Sequence, residues 1–79
     1  MREIIYTRDA RKSLGRMQPK RRAAIFSRLE EYASGRSVDI KKMKGNPYFR
    51  IRVGDDRVII DDQGVVIEVI DAGPRGSIY

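Results

Sequence analysis

Two arginines at alternate positions, Arg50 and Arg52, are the first residues of this 79-residue chain whose type and spacing indicate chemistry. They lie within residues 48–53, where polar and apolar side chains alternate as in a strand with one face against a core. The apolar residues of this stretch, such as Ile51, would face the core. Both guanidinium groups would then leave the opposite face, about 6.6–6.8 Å apart along the strand. Because an arginine fork matches the oxygens of a phosphate group, this spacing favours a phosphate-bearing partner.

A third arginine, Arg57, follows the turn formed by residues 54–56 and would return beside Arg52 on the next strand. The three guanidinium groups would then converge at one end of an exposed sheet face, where each close pair repels by about 1 kcal/mol. Since folding gains nothing from this repulsion, the arrangement favours an anionic partner. The alternative interpretation is a solvated strand face, whose basic side chains discourage edge-to-edge pairing of sheets.

The C-terminal segment, residues 71–79, holds two further candidates, Arg75 and Tyr79. This segment is rich in glycine and proline, so we expect no strand here. We expect instead an ordered excursion that brings Arg75 and Tyr79 to the arginines of the sheet. The alternative interpretation is a frayed terminus.

The composition narrows the kinds of site that this chain can form. It has 17 basic and 11 acidic residues, a net charge of +6, and neither histidine nor cysteine. Without histidine it lacks the usual imidazole base and every Ser-His triad. Without cysteine it has no disulfide and no thiolate metal site. A small protein this basic is expected to bind a polyanion or an acidic partner.

The first elements that would position these arginines follow from local signals. A short β-branched run, residues 4–6, predicts a strand that ends at Thr7, and Thr7 can cap a following helix. Apolar residues then recur at helical spacing, and Gly15 keeps this first helix short. Pro19 suits the first position of a second helix, for which Gly35 is a natural end.

The second half of the chain predicts a loop and three strands. The loop spans residues 36–47, and the strands span residues 48–53, 57–61 and 65–70, joined by short turns as an antiparallel meander. The predicted order is βααβββ, a single α+β domain over residues 1–79 with two helices packed on one sheet face. The sequence has no secretory signal and no run of about 18 apolar residues, so we expect a cytoplasmic protein with no membrane partner.

Two stretches of the sequence resemble a known group of proteins. Residues 42–60, which read KMKGNPYFRIRVGDDRVII, resemble the centre of the RelE/ParE superfamily, the toxins of type II toxin–antitoxin modules. Residues 65–70, which read VVIEVI, are followed by Gly73, Arg75 and Tyr79, and this pattern is similar to the C-terminal end of the family. The order βααβββ agrees with the family over nearly the whole chain.

This resemblance implies a RelE-like endoribonuclease that needs neither metal nor cofactor and cuts mRNA in the ribosomal A site. The implied products are a 2′,3′-cyclic phosphate and a free 5′-hydroxyl. The implied partners are the ribosome with its mRNA and a cognate antitoxin, which forms a hetero-oligomer with the toxin. The implied catalytic residues are Arg50, Arg52, Arg57, Arg75 and Tyr79. Three basic residues either contact ribosomal RNA or form a solvated loop, namely Lys41, Lys42 and Lys44.

The sequence departs from the family pattern at the residues that would move protons. Members often carry lysines where this chain has Arg50 and Arg52, and arginine is a poor base because it stays protonated up to about pH 12. We therefore expect both arginines to bind and neutralise phosphate. Proton transfer would fall to Tyr79, to a carboxylate such as Asp61 or Glu68, or to the ribosome. A further departure is Asp56, where members often have an aromatic residue.

Two other functions are compatible with the sequence. A ParE-like toxin that inhibits DNA gyrase would share the fold, although it would not need this basic set with a terminal tyrosine. A non-catalytic basic module would bind RNA or DNA with a steep dependence on salt and would leave the nucleic acid intact. A metal site at residues 55–56 or 61–62 is disfavoured, because each pair of aspartates flanks a turn.

Overall fold

A computed structural model describes residues 1–76 as five strands and two helices. In chain order these are β1 (Glu3–Tyr6), α1 (Arg8–Gly15), α2 (Pro19–Ala33), β2 (Ile40–Lys42), β3 (Phe49–Val53), β4 (Asp56–Asp62) and β5 (Val66–Pro74). The strands form one sheet in the order β1-β5-β4-β3-β2. β2 to β5 are antiparallel neighbours, and β1 pairs with β5 in parallel. The α+β class, with two helices ahead of an antiparallel meander, is confirmed.

The prediction that residues 36–47 form only a loop is wrong. This segment contains β2, a short strand at the sheet edge that pairs with β3, with Lys41 opposite Arg50. Its three residues have little strand propensity as a group, because two of them are lysines. Hydrogen bonds to the neighbouring strand therefore form β2, and such bonds leave no local signal in the sequence.

The prediction that residues 71–79 hold no strand is also wrong, because β5 continues to Pro74. Gly73 pairs with Arg57 and Pro74 with Asp56, after a register shift near Ile59 and Ile60 on β4. The register shift re-aligns the two strands, and Pro74 is tolerated because it is the last residue of the ladder. The longer strand brings the C-terminal segment back to the turn between β3 and β4.

The predicted helix ends are confirmed. The Thr7 hydroxyl oxygen accepts a hydrogen bond from the backbone N–H of Ala10 at 3.1 Å, and the same hydroxyl donates to the Ile70 carbonyl oxygen at 2.7 Å. Thr7 thus caps α1 and attaches it to β5. Pro19 begins α2, and Gly35 follows its last turn at a φ of 89°, a conformation that favours glycine.

The hydrophobic core lies between the two helices and one face of the sheet. Its fully buried large side chains from α2 and from strands β3 to β5 are Ile25, Leu29, Ile51, Val58, Ile60, Ile67 and Val69. Because side chains alternate along a strand, the residues between these positions leave the sheet on the side without helices. That side is termed the open face below. Neither helix in residues 1–76 is long and apolar enough to cross a membrane.

Asp62, at the end of β4, connects three separate parts of the chain. Its carboxylate accepts hydrogen bonds from Arg2 at 2.8 Å and 2.9 Å, from the Tyr32 hydroxyl, and from the Gly64 backbone N–H at 2.9 Å. Burial raises the pKa of Asp62, but the hydrogen bonds from Tyr32, Arg2 and Gly64 outweigh it and hold that pKa below its ordinary value. The ionised carboxylate therefore stabilises the folded state.

Asp62→Asn is expected to lower the free energy of unfolding by about 1–2 kcal/mol at pH 7, because it weakens the hydrogen bonds that the carboxylate accepts from Arg2, Tyr32 and Gly64. The loss is moderate because these hydrogen bonds are partly exposed to water. The pKa is lower in the folded state, so this contribution is present above the ordinary aspartate value of about 3.9 and disappears as the pH falls below it. Urea unfolding of both proteins from pH 7 to pH 2 measures the difference. Asp61→Asn is the matched control. A difference that stays constant over this range would contradict the assignment.

Candidate functional site

Strand β3 places two arginines on the open face. Ile51 is fully buried and Val53 nearly so, and both belong to the core on the helix side. The intervening residues, Arg50 and Arg52, therefore leave the opposite side of the strand. Arg52 is exposed and Arg50 is half-buried. The alternation that the sequence shows thus has its structural cause in the burial of the apolar residues.

Strand β4 places Arg57 directly opposite Arg52 in the antiparallel ladder. The register follows from the tight turn between the strands, where Gly54 has a φ of 60°, a conformation that few other residues adopt readily. Facing residues of an antiparallel pair have Cα atoms about 4.5–5.5 Å apart. The side chains of Arg52 and Arg57 are therefore attached to neighbouring positions of the backbone.

Arg75 joins these residues from the C-terminal end of the described chain. Its backbone N–H donates to the Asp55 carbonyl oxygen at 2.8 Å, which fixes it beside the turn between β3 and β4. One residue earlier, Pro74 pairs with Asp56. The Arg75 side chain is exposed. Tyr79, the last predicted catalytic residue, lies outside the described residues.

The electrostatics show that the four arginines share one region. Burial lowers the pKa of Arg57, and the positive charges of Arg50, Arg75 and Arg52 lower it further, while Asp39 raises it. These four residues, Arg50, Arg52, Arg57 and Arg75, are termed the arginine cluster. Within residues 1–76 the ion pairs use other arginines, so no carboxylate there neutralises the cluster by direct contact. A bound anion would relieve the repulsion.

Ile59 lies on the open face beside the cluster and was missed by the sequence analysis. It faces Arg50 across the ladder and is fully buried, yet it is not part of the core between helices and sheet. Buried apolar surface excludes water and so strengthens nearby electrostatic interactions. The consecutive apolar run at residues 58–60 is the available signal, because such runs are typical of strands buried on both faces.

The three predicted lysines do not share one side of the sheet. Lys41 faces Arg50 across the ladder. Lys42 instead places its Nζ atom 5.2 Å from the centre of the Phe49 ring and donates to the Asn46 carbonyl oxygen at 3.4 Å. A groove of about 440 Å³ nevertheless connects them with the cluster. It is lined by Lys41, Lys42, Met43, Lys44, Asn46 and Arg50.

The structure explains the aspartate at position 56. Asp56 is buried and accepts a hydrogen bond from Arg21 Nε at 3.0 Å and a second one from Arg21 Nη2. Hydrogen bonding to Asp56 raises the pKa of Arg21. Asp56 therefore connects α2 to the start of β4. In residues 1–76 no group of three or more His, Cys, Asp or Glu side chains could hold a metal ion.

The two carboxylates predicted as proton carriers lie away from the cluster. Asp61 faces Glu68 across the β4–β5 ladder, and the Gln63 amide donates to them at 3.0 Å and 3.5 Å respectively. Asp61 is four residues along β4 from Arg57, which corresponds to about 13 Å. This distance argues against either carboxylate acting on a phosphate held by the cluster.

Comparisons with known proteins support the family resemblance. A chain of the RelB–RelE antitoxin–toxin complex from Methanococcus jannaschii is 32% identical, with a TM-score of 0.77 over 95% of this chain and 94% of that chain. The archaeal RelE–RelB complex from Pyrococcus horikoshii OT3 matches at 21% identity and a TM-score of 0.72, over 98% of both chains. The isolated E. coli RelE toxin matches at 19% identity and a TM-score of 0.80, over 100% of this chain and 89% of that chain. The last two comparisons concern the fold alone. No protein-family model and no curated protein matches the sequence.

Proposed function

The chain belongs to the RelE family of type II toxins, and from that membership we propose that it is an endoribonuclease that cuts mRNA in the ribosomal A site. The observation that carries the proposal is the arginine cluster, four guanidinium groups gathered on the open face, which neither helix of residues 1–76 covers. Such a cluster suits an RNA phosphate better than a neutral ligand. Cutting mRNA during decoding would arrest translation.

The proposed reaction is attack of a ribose 2′-hydroxyl on the adjacent phosphorus. It gives a 2′,3′-cyclic phosphate on one fragment and a free 5′-hydroxyl on the other. Negative charge on the phosphate oxygens increases in the transition state, and preorganised cations stabilise that charge more than the ground state. Arg52 and Arg57, which face each other across the ladder, would contact these oxygens. Arg50 and Arg75 would neutralise the flanking charge.

The remaining proposed site residues bind RNA. Tyr79 would stack on an unpaired base, as aromatic side chains commonly do in complexes with single-stranded RNA. The groove between Lys41 and Lys44 reaches Arg50, and it would contact the phosphates of ribosomal RNA or of the message. The ribosome would therefore hold the substrate in register with the cluster.

A cognate antitoxin is the proposed protein partner. The relative from Methanococcus jannaschii is an antitoxin–toxin complex, which supports a hetero-oligomer for this chain as well. A net charge of +6 favours a partner with acidic segments. Such a partner would inhibit the toxin by covering the open face or by displacing residues near it.

Mapping of cut sites by primer extension, on the same mRNA with and without translation, tests the proposed function. We expect cuts within codons that occupy the A site, and no cuts when ribosomes are absent. The chain should also arrest growth when expressed, and co-expressed antitoxin should relieve the arrest.

Two other outcomes would contradict the ribonuclease proposal. Inhibition of DNA gyrase with intact mRNA would indicate a ParE-like toxin. Salt-dependent binding of RNA with no cut under either condition would indicate a non-catalytic binding module.

A further inference from the structure

The proposed reaction needs a group that removes the proton from the 2′-hydroxyl, and the arginine cluster contains none. A guanidinium group keeps its proton at neutral pH and cannot accept another. One carboxylate of the described chain lies beside the cluster, that of Asp39, the residue immediately before β2. Asp39 lies in a segment that the sequence predicts as a loop, and no local sequence pattern indicates a functional residue there.

Backbone hydrogen bonding places Asp39 beside Arg52, which in turn faces Arg57 on the next strand. Its carbonyl oxygen accepts a hydrogen bond from the Arg52 backbone N–H at 2.9 Å, directly before the first pair of the β2–β3 ladder, Ile40 with Ile51. Ile40 faces Ile51 and packs against the core, and the side chain before it therefore leaves toward the open face. Asp39, directly before β2, then lies beside Arg52 on β3 and Arg57 on β4, with about 10 Å between the Cα atoms of Asp39 and Arg57.

The charge of Asp39 acts on the cluster. It is the carboxylate with the largest effect on Arg57, where it opposes the repulsion from the other arginines. Asp39 is exposed, and no ion pair or side-chain hydrogen bond within residues 1–76 occupies its carboxylate. Its oxygens are therefore accessible to a substrate bound at the cluster.

The other candidate carboxylates of residues 1–76 do not lie beside the cluster. Asp56 is buried in its ion pair with Arg21, and the charge of Asp55 also acts on Arg21. Asp55 and Asp56 line one groove together with Lys20 and Arg21 of α2, on the helix side of the sheet. Asp61 and Glu68 lie at the far end of the open face, about 13 Å along the strand from Arg57.

We propose that Asp39 is the general base of the reaction, a role that rests on the proposed ribonuclease function. A phosphate held between Arg52 and Arg57 would present the neighbouring 2′-hydroxyl toward Asp39. The carboxylate takes the proton of the 2′-hydroxyl while the bond between the 2′-oxygen and phosphorus forms. The bond between phosphorus and the 5′-oxygen breaks, and the 5′-oxygen takes a proton from water. Asp39 then returns its proton to solvent.

Asp39→Asn tests this role because it keeps the size of the side chain and removes its basicity. The rate of cleavage at saturating ribosome–mRNA complex should fall about 100-fold or more, as is typical when a general base is lost. Binding to the ribosome should be unchanged or tighter, since one negative charge is removed beside four arginines. Asp39→Glu should restore part of the rate. Circular dichroism of each variant checks that it is folded.

Asp61→Asn is the matched control, because it removes a carboxylate from the same face at a distance from the cluster. Its cleavage rate should equal that of the parent chain. Full activity of Asp39→Asn, or a loss of activity in Asp61→Asn instead, would overturn the assignment of Asp39 and leave the ribonuclease proposal intact. A parent chain that never cuts mRNA on ribosomes would contradict the ribonuclease proposal itself.

Discussion

Arg57→Ala is expected to slow cleavage of ribosome-bound mRNA about 100- to 1000-fold, the usual cost of removing one preorganised donor from a transition state. Arg57 is half-buried, and burial together with the charges of the other three arginines lowers its pKa. A phosphate that binds there gains from all four charges at once. Removing Arg57 would therefore weaken stabilisation of the transition state more than binding of the ribosome, because the groove lined by Lys41, Lys42 and Lys44 would also contribute to that binding.

The same substitution is expected to leave the chain at least as stable as the parent. The positive charges of Arg50, Arg52 and Arg75 repel that of Arg57, and Arg57→Ala removes this repulsion. Urea unfolding measures the stability, and primer extension on translated mRNA measures the cleavage. Loss of activity together with a gain in stability would be the expected signature of a site that is built for a ligand.

Two further variants test whether the loss of activity in Arg57→Ala depends on the guanidinium fork and on its place in the cluster. Arg57→Lys keeps the charge but loses the fork, so it should retain part of the activity. Arg36→Ala removes an exposed arginine outside the cluster and should cut mRNA at the parental rate. If Arg57→Ala cuts as fast as Arg36→Ala, the cluster does not stabilise the transition state.

Arg21→Met is expected to lower the free energy of unfolding by more than the loss of a surface ion pair would, because it leaves a buried carboxylate without its partner. The side chain of Asp56 is only 7% exposed, whereas that of Arg21 is 41% exposed. An unpaired Arg21 could be hydrated, but an unpaired Asp56 could not. We therefore expect Asp56→Asn to cost less than Arg21→Met.

Arg28→Met is the matched control for this stability prediction. Arg28 lies on the same helix and has the same 41% exposure, but the side chain of its partner Glu31 is 36% exposed and lies 4.0 Å away. Surface pairs of this kind contribute about 0–1 kcal/mol. Chemical denaturation of the three single variants measures these differences. Equal losses for Arg21→Met and Arg28→Met would show that burial of Asp56 does not matter.

The features that sequence alone predicts correctly depend on neighbouring residues. The Thr7 cap, the start of α2 at Pro19 and the end of α2 before Gly35 each reflect a conformational preference that acts within one turn of helix. The alternation that places Arg50 and Arg52 on one face, and the turn that brings Arg57 back beside them, are likewise determined by residues only a few positions apart. A short hairpin turn leaves little choice of register.

The rest of the site depends on residues that are distant in sequence. The end of β5 carries Arg75 to a turn formed about 20 residues earlier, by a strand pairing that a Gly-Pro segment does not predict. β2 forms because β3 offers it hydrogen-bonding partners, and that pairing brings Asp39 into the row of arginines. Asp56 at the start of β4 pairs with Arg21 on α2, 35 residues away in sequence. Local propensity cannot choose such partners, because the free energy that selects them comes from burial and from hydrogen bonds formed when distant segments pack together.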